Sequence, residues 1–148
     1  RLVSRGLGDV YKRQGFKMLK LLRFAFILFF ASSAYVTANS LDITYVEPDT
    51  EIRNLIWEKR IVLVFSNSHL DPKLKQQIEM FTSDPNALLS RDVQVFVDHT
   101  PEPSSNLRKR FRPKGFLIIL IGKDGQIKLR KNTPWSAREI TRVIDKGS

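Results

Sequence analysis

No cysteine occurs among the 148 residues of this chain. The absence excludes disulfide bonds, thiolate metal sites, cysteine nucleophiles and every form of thiol redox catalysis. Histidine is nearly as scarce, because the sequence contains only His69 and His99. No Gly-x-Ser-x-Gly elbow occurs, and Ser66 and Ser68 have no base at a recognisable spacing, which argues against a serine hydrolase.

Acidic residues are fewer than basic ones, 15 against 25, and the formal net charge is +10. Residues 1–38 hold seven Lys or Arg and one Asp, so they contribute +6 of that charge. Only +4 remains for residues 39–148. The total charge is therefore no argument for nucleic-acid binding, and we expect no nucleic-acid partner.

The first 38 residues fall into two parts. Residues 1–17 begin without Met and lack an apolar period, which predicts an adapter-derived or upstream, non-native segment; a genuine disordered extension is the alternative. From Met18 onward, a cationic start, an apolar run at 24–31 and small residues at Val36 and Ala38 have the order of a secretory signal peptide. The pattern predicts cleavage between Ala38 and Asn39.

Export follows from this signal, to the periplasm or the extracellular space. The segment 24–38 is shorter than the about 20 apolar residues that span a bilayer. Contact with a membrane is therefore expected only if the signal peptide stays uncleaved as an anchor. Residues 39–148 are predicted to form one domain.

Within that domain the apolar pattern predicts the element order β-α-β-α-β-β-α. A short alternating run near Ile43 and Tyr45 predicts an edge strand, and continuous apolar runs at 61–65 and 116–121 predict strands covered on both faces. A third strand is expected at 93–98. Because helix joins the strands at 61–65 and 93–98, they should be parallel, whereas the last two strands form a hairpin.

Capping and turn residues mark the boundaries of these elements. Asp-Pro pairs at 71–72 and 84–85 predict helix starts, and Asp124-Gly125 predicts the hairpin turn. After that turn, Ile127 and Leu129 alternate with cations, which predicts a strand with one buried face. Helical spacing at 52–56, with Thr50 as the cap, predicts a further helix before the first long strand. Trp57 and Trp135 are expected at core or rim positions.

Four segments carry a resemblance to a known family: "RNLIWEKRIVLVF" at 53–65, "LLSRDVQVFVD" at 88–98, "LRKRF" at 107–111 and "FLIILIGKDGQIKLR" at 116–130. They resemble domain of unknown function 4174, a secreted thioredoxin- or peroxiredoxin-like domain that also occurs in sushi-repeat-containing animal matrix proteins. The resemblance implies an α/β, thioredoxin-like fold with a mixed sheet of four to five strands and helices on both faces. The family's usual Met-Pro-Met-Arg tail is absent after Ile144-Asp145.

The resemblance does not imply an activity. Residues 66–69 occupy the loop in which redox relatives carry their thiols, and Pro113 stands three residues before Phe116, displaced from the active-site proline of thioredoxins. We therefore expect a non-redox binding or structural role without a cofactor, with an unknown protein or an envelope or extracellular polyanion as the partner. An oxidoreductase-descended enzyme that uses non-thiol groups is the alternative, and a polyanion-binding surface protein is a third interpretation.

The segment "RKRFRPK" at 108–114 is the candidate polyanion site. It holds five cations, and a solvated helix end with Phe111 packed inward is the simpler interpretation. The cations are Arg108, Lys109, Arg110, Arg112 and Lys114.

The two histidines form the second candidate site, for metal binding or acid–base catalysis. His69 and His99 each follow a strand of the predicted parallel pair, so both should leave the same edge of the sheet. Asp98, and Asp71 nearby, supply carboxylates for a two-His, one-carboxylate cluster. In the alternative interpretation His69 only lines its loop, Asp71 caps a helix and His99 begins an exposed turn.

Overall fold

Five strands form one mixed sheet in the computed structural model, which describes residues 40–147. The strands are β1 (Ile43–Tyr45), β2 (Arg60–Phe65), β3 (Val93–Asp98), β4 (Leu117–Ile121) and β5 (Ile127–Lys131), in the spatial order β1-β3-β2-β4-β5. Strand β3 is parallel to both β1 and β2, whereas β4 is antiparallel to β2 and to β5. The predicted parallel pair, hairpin and edge strand are confirmed.

Four helices and one 3-10 turn accompany the sheet. The helices are α1 (Pro72–Ser83), α2 (Pro85–Leu89), α3 (Asn106–Phe111) and α4 (Ala137–Lys146), and the 3-10 turn is Arg53–Leu55. Asp71 caps α1 through Lys73 N, and Ser136 and Glu139 form a capping box on α4. Within residues 40–147 no helix is long and apolar enough to cross a membrane.

The sheet has an apolar core on each face, as an α/β fold requires. Val62 and Val64 of β2 pack on one side with residues of α1, α2 and α4. Ile61, Leu63 and Phe65 alternate to the other side, against Ile52 and residues of α3. Strand β2 is thus buried on both faces, which explains its unbroken apolar sequence.

The prediction of a helix at 52–56 capped by Thr50 is wrong. The chain forms only the three-residue 3-10 turn at 53–55, and Thr50 accepts a hydrogen bond from Glu47 N instead of capping a helix. Ile52 is buried, which accounts for the apolar spacing. Trp57 has a left-handed backbone (φ 73°) that ends the turn, and its side chain is 74% exposed, contrary to the expected core or rim position.

The hairpin of β4 and β5 has the predicted turn, but β5 differs from the prediction in its buried face. Gly125 adopts φ 77°, a conformation that glycine tolerates at little cost. A register shift between Leu120 and Ile121 interrupts the ladder between β4 and β5. Leu129 is buried as predicted, but Ile127 beside the shift is 50% exposed, so only the middle of β5 has a buried face.

The predicted signal peptide, its cleavage point and residues 1–17 lie outside the described residues. They remain predictions.

Candidate functional site at the carboxyl edge of the parallel strands

The loops that follow β2 and β3 lie at the same edge of the sheet. Phe65, the last residue of β2, is in register with Asp98, the last residue of β3, and Ser66 N donates a hydrogen bond to Asp98 O. Ligands of open α/β sheets gather outside this carboxyl edge. This edge therefore carries the candidate site.

Arg108 of α3 is the centre of a buried hydrogen-bond cluster at this edge. Its Nε donates to Oδ1 of Asp98 at 2.9 Å, and its Nη2 donates to the backbone oxygens of Ser66 and Asp98. The Arg108 and Asp98 side chains are 6% and 2% exposed. One guanidinium thus joins the ends of β2 and β3 to α3.

Ser105 completes the cluster. Its hydroxyl donates to Oδ2 of Asp98 at 2.6 Å and accepts from Arg108 N at 3.0 Å, which caps α3. The peptide N–H of Thr100 donates to Oδ1 of Asp98. Both carboxylate oxygens of Asp98 are therefore engaged within the protein, so Asp98 has a structural role in this arrangement.

The loop after β2 is held in a similar way. The buried Ser66 hydroxyl lies 2.9 Å from both Ser68 O and Oδ2 of Asp71, and Oδ1 of Asp71 accepts from Lys73 N. Throughout residues 40–147, every buried side-chain nitrogen and oxygen has a hydrogen-bond partner. The loop after β2 therefore offers no unpaired buried polar group for catalysis.

Three rings lie together outside this buried cluster. The centroids of His69 and His99 are 6.0 Å apart in an edge-on arrangement, and Tyr45 lies 5.4 Å from His99. Tyr45 is 53% exposed, and Leu70, next to His69, is 76% exposed. We call Tyr45, His69 and His99 the ring cluster.

The candidate metal cluster of His69, His99 and Asp98 lacks its carboxylate. The two imidazoles are neighbours, but Asp98 is committed to Arg108 and Ser105, and Asp71 is committed to Ser66 and Lys73. Among the described residues, no group of three or more His, Asp or Glu side chains is arranged to hold a metal ion. The same hydrogen bonds remove Asp98 as a free general base.

The candidate polyanion segment is divided by the fold. Arg108 points inward, so it does not belong to an exposed cationic surface; α3 turns it to the same side as the buried Phe111. Lys109 and Arg110 are exposed beside Glu51 and Arg53. Arg112 and Lys114 face a different cleft, between α1 and the end of β5.

The buried role of Arg108 and the position of Tyr45 beside His99 were not predicted from the sequence. The signal for Arg108 is its spacing, because positions 108 and 111 share one helical face and 111 is apolar. A second signal is Asp98, a carboxylate that ends a buried strand and needs a partner. Tyr45 could be placed near His99 only with the parallel register of β1 on β3.

A family comparison identifies the domain. The model of the family "Domain of unknown function (DUF4174)" matches residues 51–148. The chain belongs to the DUF4174 family. No curated protein matches its sequence.

Solved structures similar to this DUF4174 chain share its thioredoxin-like fold. The reduced 2-Cys peroxiredoxin of Plasmodium vivax has a TM-score of 0.55 at 13% identity, over 66% of this chain and 82% of its own. Chloroplastic thioredoxin z has 0.53 at 16%, over 71% and 93%. The yeast mitochondrial 1-Cys peroxiredoxin has 0.50 at 24%, over 73% and 95%. At these identities the likeness shows the fold, and the predicted fold class is confirmed.

Proposed function

We propose that this DUF4174 domain is a non-redox binding module of an exported protein, and that the ring cluster is part of its contact surface for a protein partner. The observation that carries the proposal is the contrast at the carboxyl edge. Polar groups there are buried and bonded to one another, whereas Tyr45, His69 and Leu70 are exposed above them.

This arrangement favours binding over catalysis. A catalytic site needs convergent polar groups that can reach a substrate, but Asp98, Ser105 and Arg108 are buried. A surface that recognises a protein partner depends on shape complementarity and on exposed side chains held in fixed positions. Tyrosine is enriched at such surfaces. Arg108 supplies the rigid base because it ties both strand ends to α3.

The alternative, an oxidoreductase-descended enzyme without a thiol, predicts turnover of a redox substrate, whereas the binding module predicts none. The chain lacks any thiol, so it should neither reduce insulin disulfides nor consume peroxide above a metal-free blank. Turnover in either assay that survives extensive metal removal would contradict the binding-module proposal and favour a non-thiol enzyme.

Affinity capture tests the proposed surface directly. The exported protein serves as bait for proteins of its native culture medium and envelope fraction, and mass spectrometry identifies what is retained. The variant Tyr45→Ser/His69→Ser should lose a specific partner that the wild type retains. Trp57→Ser is the matched control, because Trp57 is an exposed aromatic residue at the opposite edge of the sheet. Equal retention by both variants would contradict a role of the ring cluster.

A further inference from the structure

Four cations from three parts of the chain line one cleft beside α1. Lys73 comes from the first turn of α1, Arg112 and Lys114 from the segment after α3, and Arg130 from β5. The cleft has a volume of about 390 Å³, and no carboxylate is among its lining residues. This volume lies in the range of small-molecule sites.

The cations of this cleft are not neutralised by the protein. The ion pairs formed within residues 40–147 involve other side chains, and none includes Lys73, Arg112, Lys114 or Arg130. Lys73 Nζ and Arg130 Nη2 contact the backbone oxygens of Asn132 and Phe111, at 3.4 and 2.8 Å. Each of these two cations therefore retains its charge and further N–H donors for a ligand.

The backbone at the mouth of the cleft adopts two unusual conformations. Arg112 ends α3 in the left-handed region (φ 50°), where glycine is normally preferred. Gly115 has φ 154°, and a Cβ atom built on it would meet nothing within 4 Å, so space remains open beside the cations. An arginine thus occupies a position that would favour glycine, with its side chain lining the cleft.

From these contacts we infer that the cleft of Lys73, Arg112, Lys114 and Arg130 binds a tetrahedral oxyanion, a phosphate or sulfate ester carried on a small polar ligand. Lysine and arginine bind such groups through charge-assisted hydrogen bonds, and four cations that line one cleft without a carboxylate provide the charge. The inference rests on the proposed binding function and adds a ligand class at a place separate from the ring cluster.

The segment 108–114 supplies both a test variant and a charge-matched control. Arg112→Ser/Lys114→Ser removes two exposed cations that line the cleft. Lys109→Ser/Arg110→Ser removes two exposed cations of the same segment that line no part of it. The four side chains donate no side-chain hydrogen bond within the described part of the protein, so both variants should fold, which amide spectra check directly.

The probes are glucose 6-phosphate, glucose 6-sulfate and inorganic phosphate, titrated into the purified protein and followed by amide chemical shifts. We expect saturable shifts at Gly115 and Asn132, and an affinity about tenfold weaker in Arg112→Ser/Lys114→Ser, as loss of charge-assisted bonds implies. The control should stay within about twofold of wild type. Preference among the three probes distinguishes a phosphate ester, a sulfate ester and the free ion.

Two results would overturn the inference. One is a titration by all three probes that does not saturate or that leaves Gly115 and Asn132 unshifted. The other is equal weakening in the two double variants, which would indicate a diffuse cationic surface for a polyanion. The capture experiment changes Tyr45 and His69, which are not part of the cleft. If the titrations fail but the wild-type protein still retains a partner that the Tyr45→Ser/His69→Ser variant loses, only the oxyanion inference is contradicted and the proposed binding function stands.

Discussion

Arg108 Nε lies 2.9 Å from Oδ1 of Asp98, and this ion pair is buried between α3 and the ends of two parallel strands. Desolvation of two charges is costly, and it is offset only when the remaining donors and acceptors are also satisfied. Here the additional partners are Ser105, Thr100 N and two backbone oxygens. The ion pair therefore joins α3 to the ends of β2 and β3, and loss of either charge leaves the other one buried without its partner.

We expect Arg108→Met to destabilise the domain by about 3–5 kcal/mol, because it leaves the Asp98 carboxylate buried without its cation. The measurement is the free energy of unfolding in urea. The matched control is Arg110→Met, because Arg110 is exposed and lies only two residues after Arg108 on α3. This change should alter the free energy of unfolding by less than about 0.5 kcal/mol. The double variant Arg108→Met/Asp98→Asn should cost less than the two single changes added together, since they remove one shared interaction. Additivity would show that the pair is not coupled.

A second buried polar contact joins α1 to the segment before α4. Gln77 is fully buried, and its amide donates to Trp135 O at 2.6 Å and accepts from Trp135 N at 2.8 Å. Gln77→Leu is expected to cost about 2 kcal/mol, because it leaves these two backbone groups unpaired despite adding apolar surface. Gln76→Leu is the matched control, since Gln76 is exposed, and it should stay within about 0.5 kcal/mol. Equal values in thermal or urea unfolding would contradict the role of Gln77.

The sheet could be predicted from sequence because its signals are local. Ile61 to Phe65 and Leu117 to Ile121 are unbroken apolar runs, and a strand covered on both faces requires such a run. The segment at 52–56 misled the prediction because a single 3-10 turn that buries Ile52 has the same apolar spacing as a helix. Its end depends on the left-handed backbone of Trp57, which hydrogen-bonds to Lys123 O across the fold.

The candidate sites were harder to predict because they depend on contacts distant in sequence. Five cations in seven residues look alike in the sequence, yet α3 buries Arg108, exposes Lys109 and Arg110, and leads Arg112 and Lys114 to a cleft completed by α1 and β5. Charge composition contains no information on this division. The direction of each side chain follows from helix α3 and from the turn after it, and those require the packed structure.

An exposed ion pair gives a prediction about pH. Asp145 of α4 accepts two hydrogen bonds from Arg91 at 2.8 Å, and this contact lowers the pKa of the Asp145 carboxyl below its ordinary value of 3.8. A lowered pKa means that the carboxylate favours the folded state above the ordinary pKa, and that this contribution is lost as pH falls through the folded value. The ion pair should therefore contribute fully to stability at neutral pH, and its contribution should change with pH only in acidic solution.

Carboxyl carbon shifts measured against pH should give a titration midpoint for Asp145 below 3.8. Arg91→Gln should move that midpoint upward, and high salt should do the same in the wild type. The carboxyl of Asp92 is the internal control: Lys123 is the largest cause of its lowered pKa, so Arg91→Gln should leave it unchanged. If the titration midpoint of Asp145 were the same in Arg91→Gln as in the wild type, the lowered pKa would have a cause other than Arg91.

The final prediction concerns zinc at the two histidines. Zinc sites in proteins take three or four ligands, but His69 and His99 supply two, and the carboxylates of Asp98 and Asp71 are already hydrogen-bonded. A site with a Kd of about 1 µM would stabilise the folded state by about 2.7 kcal/mol at about 100 µM zinc. For a domain of this size that means a rise in Tm of roughly 10 °C or more.

We therefore expect about 100 µM zinc, roughly a hundredfold above such a Kd, to leave the Tm of the protein unchanged within error. The same measurement on His69→Ala provides the comparison, since it removes one imidazole without touching the buried cluster around Arg108. A rise in Tm that occurs in the wild type and disappears in His69→Ala would restore the metal hypothesis. It would require Asp98 or Asp71 to leave its present partners, and Ser66→Ala, which frees Oδ2 of Asp71, should then strengthen zinc binding.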